Sequence, residues 1–205
     1  MMNNPKQFWN EMAQREDWRN HILPRKSDLD FDFEGWVEAQ RLMYFFDSNS
    51  IVIDYGCGIG RVLRYISQRA KHAIGLDICD LFIGRAREYA GDEVGLALSD
   101  EFEEENIADF VYSLMVLQHN NLENQKKIME HIFKILKPGG TALVSFPRHE
   151  STYYTENPGL HKFKKTEVDA FGEMFQSYRI IEGQLPNYEN PIDNMNHEYF
   201  LIAIK

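Results

Sequence analysis

From residue 51 onward, apolar residues follow two alternating rhythms: short continuous runs, and longer stretches spaced three and four apart. Ile51, Val52 and Ile53 form a run that stops at a glycine cluster, as expected of a strand buried on both faces. Val62, Leu63 and Ile66 then recur at helical spacing and predict a helix over 61–70. The pattern continues with a strand at 73–76 ending at Asp77, a helix at 81–89, a strand at 94–98 and a fourth strand opening at Phe110. Ile128, Ile132, Ile135 and Leu136 share one face of a helix over 123–136. Lys137-Pro138-Gly139-Gly140 ends it, since Pro cannot continue a helix and Gly turns the chain. A fifth strand follows at 141–146, and then a helix opening at Thr166, with Asp169 placed as a capping-box partner. Strands at 178–183 and 198–204 close the chain, joined by LPNYENPIDNMN in a hairpin-like return. Alternating strands and helices predict a parallel sheet covered on both faces.

The first fifty residues are aromatic and charged instead. Pro5 opens a helix over 5–18 that spaces Phe8, Trp9 and Met12 along one face. Residues 1–46 are thus expected to be a helical segment laid on the main domain, either packed there or closing over a ligand cleft. Past Pro147 the polar, aromatic stretch RHESTYYTENPGLHKF makes 147–165 the longest irregular insertion. With 205 residues, 43% of them hydrophobic, the chain suffices for one domain with one core.

Charge narrows the partners. Lys and Arg total 22 against 32 Asp and Glu, a net −10 that repels phosphate backbones and argues against nucleic acid. No apolar run approaches the roughly 20 residues of a membrane span, and the amino terminus lacks the apolar stretch of a signal peptide. Cys57 and Cys79 alone make no disulfide framework and no metal-ligand spacing, which points to a reducing, cytoplasmic setting.

The chemistry concentrates at Asp54-Tyr55-Gly56-Cys57-Gly58-Ile59-Gly60, between the first strand and the first helix after it. Alternating glycines let the backbone bend sharply and approach a ligand. In open α/β sheets that ligand sits at the carboxyl ends of the strands. The next strand ends at Asp77, where a carboxylate can accept hydrogen bonds from ribose hydroxyls. A dinucleotide fingerprint would need G-x-G-x-x-G, but Gly56-x-Gly58 is followed by Arg61 and Gly58-x-Gly60 by Leu63. Asp54 would also repel a pyrophosphate, whereas it suits an ammonium and a sulfonium. A tight turn explains the glycines alone, and a helix cap explains Asp77 alone; their joint spacing favours a ligand.

IVIDYGCGIGR resembles the first motif of class I S-adenosylmethionine-dependent methyltransferases. GLDI at 75–78 is similar to that family's ribose motif, ALSD at 97–100 to its adenine-side motif, ADFVYSLMVLQH at 108–119 to its fourth motif, and LKPGG at 136–140 to the turn before strand five. The resemblance implies a doubly wound, Rossmann-like α/β fold: a seven-stranded sheet with the last strand antiparallel, in three α/β/α layers. It implies S-adenosylmethionine as cofactor and S-adenosylhomocysteine as product. Gly56, Cys57, Gly58 and Gly60 would line the methionine part with Asp54 in support, and Asp77 and Ile78 would lie at the ribose. Ser99 and Asp100 would face adenine, and Leu114, Met115 and Leu117 would pass beside the donor.

Methyl transfer asks the protein to align and dry a nucleophile, here an O or N atom of a small-molecule acceptor, without a metal. His119, just beyond strand four, is the first candidate base. Tyr153 and His161 are further catalytic candidates and, with His149 and Tyr154, nominate a substrate wall in the insertion; His21, Trp9 and Trp18 could contribute from the opposite, amino-terminal side. Cys57 is read as a loop residue, not a nucleophile. The competing readings are a donor-binding protein without catalysis and, weakened by the glycine spacing, a nicotinamide-dependent oxidoreductase.

Overall fold

The computed structural model describes residues 4–19, 27–150, 160–183 and 197–205. Its strands are β1 (Ile51–Tyr55), β2 (His72–Asp77), β3 (Val94–Leu98), β4 (Ala108–Ser113), β5 (Leu136–Pro147), β6 (Ser177–Glu182) and β7 (Glu198–Ile204). They form a seven-stranded sheet in the order β3-β2-β1-β4-β5-β7-β6. β7 runs antiparallel to both β5 and β6, while β1 with β2, β2 with β3 and β4 with β5 pair in parallel. This is the Rossmann-like methyltransferase fold, as the sequence motifs imply. Residues 4–103 and 104–205 form two compact units, described in turn.

In the first unit, β1, β2 and β3 are parallel and in register, Ile51 opposite His72 and Ala73 opposite Val94. Between them lie α3 (Leu63–Ile66) and α4 (Asp80–Ala90), preceded by α1 (Pro5–Ala13) and α2 (Asp28–Leu42). The predicted helix over 61–70 shrinks to a short α3 flanked by turns, because the Ser67 hydroxyl bonds back to the Arg64 carbonyl and Arg69 and Ala70 both donate to Ile66. α1 starts where Asn4 caps the Gln7 N–H and Pro5 occupies the first turn. Ala13, Phe31, Ile59, Cys79 and Phe82 make a buried cluster, with Trp9, Trp18 and Tyr89 packed against it. The packing role expected of the amino-terminal aromatics is therefore real. α2 begins at a reciprocal cap, Ser27 and Asp30 each bonding the other's backbone N–H. Where α2 crosses Arg61, a Cβ on Gly35 would lie 2.5 Å from the Arg61 carbonyl oxygen, so only glycine fits.

In the second unit, β4 leads through a 3-10 turn (Leu117–His119) to α5 (Leu122–Ile135), then β5, α6 (Lys165–Gly172), β6 and β7. LKPGG does more than end a helix. Leu136 already pairs with Ala108, the register then slips, and Thr141 pairs with Phe110, so the Pro-Gly-Gly kink lies inside β5. α6 starts one residue earlier than predicted: Glu167, not Asp169, accepts the Lys164 N–H at 2.8 Å. The loop joining β6 to β7 lies outside the described residues, but the antiparallel pairing of Ser177 with Ile204 agrees with the predicted return.

Candidate functional site

The glycine loop is held by backbone. Gly56 and Cys57 N–H groups both donate to the Leu76 carbonyl, at 2.7 and 3.0 Å, and Gly60 N–H closes onto Cys57 O at 2.9 Å. Gly56, Gly58 and Gly60 have φ of 85°, 55° and 78°, a region that side chains with a Cβ rarely adopt. Asp77, at the end of β2, completes the loop: Oδ2 accepts the Gly58 N–H at 2.8 Å and Oδ1 the Cys79 N–H at 2.8 Å. Its own carbonyl accepts the Ser99 N–H at 2.9 Å. One residue thereby ties the tips of β1, β2 and β3 together.

Electrostatics set this corner apart. Burial pushes the Asp77 carboxyl up from 3.8 to about 6, against the backbone bonds from Cys79, Gly58 and Ile78 that pull it down. Asp54 and Ser99 are also buried, and the Tyr55 hydroxyl, raised by burial, is bonded to Ser99. The Cys57 thiol is also raised, by burial first and then by Asp77 and Asp54, so it stays protonated and unreactive. Asp100 is exposed and takes a 3.0 Å ion pair from Lys6 of α1. Asn10 of α1 donates to Asp80 and accepts from the Cys79 thiol at 3.2 Å. α1 is therefore fastened over the Cys79, Asp80 and Asp100 edge.

In the second unit, the segment after β4 is strained and densely bonded. Met115 has φ 60°, unusual for a residue with a Cβ, and its N–H donates to Ser145 Oγ at 2.9 Å. Leu114 is half-buried, Met115 exposed and Leu117 fully buried. Burial drives His119 down from 6.5 to about 4, so its imidazole is neutral at physiological pH. The end of the insertion returns to this turn: His161 N–H donates to the Gln118 carbonyl at 2.8 Å, and Phe163 pairs with the end of β5. His161 Nε2 lies 3.0 Å from Glu167 Oε1, and its ring stands edge-on to Phe163.

The family described as "Methyltransferase domain" matches residues 36–188. The chain belongs to the methyltransferase-domain family. A relative is phosphoethanolamine N-methyltransferase of Plasmodium falciparum, 27% identical over 168 residues, covering 75% of this chain and 63% of that protein. A second is tRNA (carboxymethyluridine(34)-5-O)-methyltransferase of Arabidopsis thaliana, 30% identical over 119 residues, 55% of this chain and 28% of that one. The chain thus spans less than two thirds of these curated relatives. Among solved structures, magnesium protoporphyrin IX methyltransferase from Synechocystis with bound SAH superposes with a TM-score of 0.72 at 15% identity, covering 98% of this chain and 97% of that one.

Within this methyltransferase domain the sequence-predicted residues divide in two. Asp54, Gly56, Cys57, Gly58, Gly60, Asp77, Ile78, Ser99 and Asp100 lie in the first unit, on β1, β2, β3 and the turns that follow them. Leu114, Met115, Leu117, His119 and His161 lie in the second, while Tyr153, Tyr154 and His21 fall outside the described residues. Sequence reading missed Lys6 and Gly75. A Cβ on Gly75 would meet Leu63 Cδ2 at 2.7 Å and Cys57 Sγ at 2.8 Å, so this glycine lets α3 and the loop close on β2. Its position before the acidic strand end was the available signal.

Proposed function

We propose that the chain binds S-adenosylmethionine and transfers its methyl group to an O or N atom of a small-molecule acceptor, leaving S-adenosylhomocysteine. The carrying observation is the Asp77 carboxylate locked onto Gly58 N–H at 2.8 Å, in a chain of the methyltransferase-domain family. A carboxylate offers about four acceptor positions. Cys79, Gly58 and Ile78 use three. Asp77 can take one ribose hydroxyl without loosening the loop. A second hydroxyl would compete with a backbone N–H. The loop glycines admit the methionine part, Asp54 supplies negative charge towards the donor's cationic groups, and Asp100 faces adenine. Bound, the donor supplies a methyl group activated by a sulfonium.

The protein's own part is alignment and drying. His119, neutral and with its basicity depressed, serves as a hydrogen-bond acceptor that orients the nucleophile's O–H or N–H and takes up its proton late in the transfer. His161, braced by Glu167, belongs to the acceptor wall. Residues 1–205 are read as one catalytic domain, with the amino-terminal helices as a cover whose Lys6 pair must yield when adenine takes Asp100. The net −10 charge favours a small acceptor over nucleic acid. Among the described residues no helix is long and apolar enough to cross a membrane. A cytoplasmic place fits the two buried, free cysteines.

The test is calorimetry with S-adenosylmethionine and S-adenosylhomocysteine, followed by a screen of acceptors with labelled donor read by mass spectrometry. Binding of neither compound by the folded protein defeats the proposal.

A further inference from the structure

Gln118 is fully buried, and neither Nε2 nor Oε1 of its carboxamide has a hydrogen-bond partner among the described residues. Buried amides are normally paired, and one left bare destabilises a fold. Its surroundings make the exception specific. Buried Gln125 donates to the carbonyls of Leu117 and Asn120, at 3.2 and 2.8 Å; buried Asn120 donates to Val116 O at 3.0 Å; buried Ser145 accepts the Met115 N–H. The turn pairs these three polar side chains and leaves Gln118 alone. Arg61 and Arg85 also carry an unpaired buried nitrogen, but each guanidinium rests over an aromatic ring, Phe31 and Trp18 respectively. Gln118 has no such contact, and it sits between the strained Met115 and the candidate base His119, with its carbonyl holding His161.

We propose that the Gln118 carboxamide reads a neutral polar group on the methyl acceptor, one that accepts from Nε2 and donates to Oε1. A hydroxyl or a primary amide does both. A phosphate or carboxylate satisfies only the NH2, and an ammonium only the oxygen, so either leaves half of the amide bare. Contact requires the turn around Gln118 to part as the acceptor enters, and the pairing gained on binding replaces one the free protein lacks. This reading rests on the methyltransferase function proposed above and adds the class of acceptor: a hydroxylated or amide-bearing small molecule. A site built to bond a hydroxyl rejects the analogue lacking it strongly, because the buried group is then left unpaired.

The experiment compares the whole protein with Gln118→Met, and with Gln118→Leu should the first not fold. Three measurements are made: thermal stability of the free protein, calorimetry with S-adenosylhomocysteine, and turnover of labelled donor on paired amines. The pairs are ethanolamine with ethylamine, 3-aminopropanol with propylamine, and glycinamide with ethylamine. The expected result is a melting temperature raised by about 2 to 4 °C in the variant, with S-adenosylhomocysteine affinity unchanged. In the wild type the hydroxyl or amide member is favoured by at least about tenfold in kcat/KM, and in the variant that preference is lost. A lower melting temperature in both variants shows the amide already partnered and overturns the proposal. So does equal preference in wild type and variant, or a wild type that binds S-adenosylhomocysteine but methylates no member of any pair. Failure of the wild type to bind S-adenosylhomocysteine strikes instead at the function proposed for the whole site.

Discussion

Asp77 Oδ2 sits 2.8 Å from the Gly58 amide nitrogen, so the carboxylate at the tip of β2 fixes the middle of the loop that follows β1. A group that would bind a ligand also shapes the surface the ligand meets. Asp77→Ala should therefore weaken donor binding by more than one lost hydrogen bond, about 1.5 to 3 kcal/mol or more, while Asp77→Asn, which keeps the volume and one acceptor oxygen but turns its NH2 against the Gly58 or Cys79 N–H, should weaken it less than Ala. Calorimetry with S-adenosylhomocysteine checks this, and unchanged affinity in a folded Ala variant removes Asp77 from the site.

Donor binding should depend on pH through the same residue. With the free carboxyl at about 6, the ionised form that accepts hydroxyl hydrogens dominates only above that value. Affinity is expected to rise between pH 5 and 7 and level off beyond. The Asn variant should lose this dependence; an identical pH profile in wild type and Asn variant assigns the titration to another group.

Stability should carry two opposed contributions. Asp77 is raised, so its stabilising contribution is present below 3.8 and lost as pH climbs through about 6. His119 is lowered, so its contribution is present above 6.5 and lost as pH falls through about 4. Each is on the order of 3 kcal/mol from its shift, and they act in opposite directions over one window. The wild type should be nearly flat there. Asp77→Asn should lose stability on acidification, and His119→Gln should gain it, as urea titrations from pH 4 to 7 would report. Parallel curves for all three proteins contradict the assignment.

His119→Ala should reduce turnover more than donor affinity, and the wild-type rate should show no ionisation near 6.5, since burial holds that imidazole near 4. A kcat profile breaking near 6.5, and moved by the substitution, would give His119 an ordinary basicity in the working enzyme.

Gly75→Ala should destabilise by about 1 to 3 kcal/mol, because the new methyl group would press on Leu63 and Cys57 at under 3 Å. Thermal melting checks it, and a neutral effect would mean that α3 gives way.

Much of this was legible in the sequence, and the exceptions are physical. Residues 94–98 were predicted as the strand that β3 is, because a short apolar run between turns has few other solutions. Asp77, the glycines and LKPGG gave the family, and the family rather than any periodicity implied seven strands and an antiparallel last one. Within the helical segment expected over 1–46, the bounds of α2 went unread although Ser27 and Asp30 spell its start, since its apolar residues do not mark one face: Phe31 and Val37 are buried while Leu29, Phe33 and Trp36 are exposed. The pinch at Gly35, the Lys6 pair to Asp100 and the bare amide of Gln118 join residues far apart in the chain or depend on what surrounds a side chain. No local pattern encodes them.

Leu76 receives the bend of the glycine loop on a main-chain oxygen. Every amino acid carries that atom, so the anchor for Gly56 and Cys57 does not depend on which apolar side chain fills the buried position 76. Constraint falls on the glycines and on Asp77 instead. An architecture anchored this way can travel far through mutational space, as the superposition with the Synechocystis protein at 15% identity illustrates.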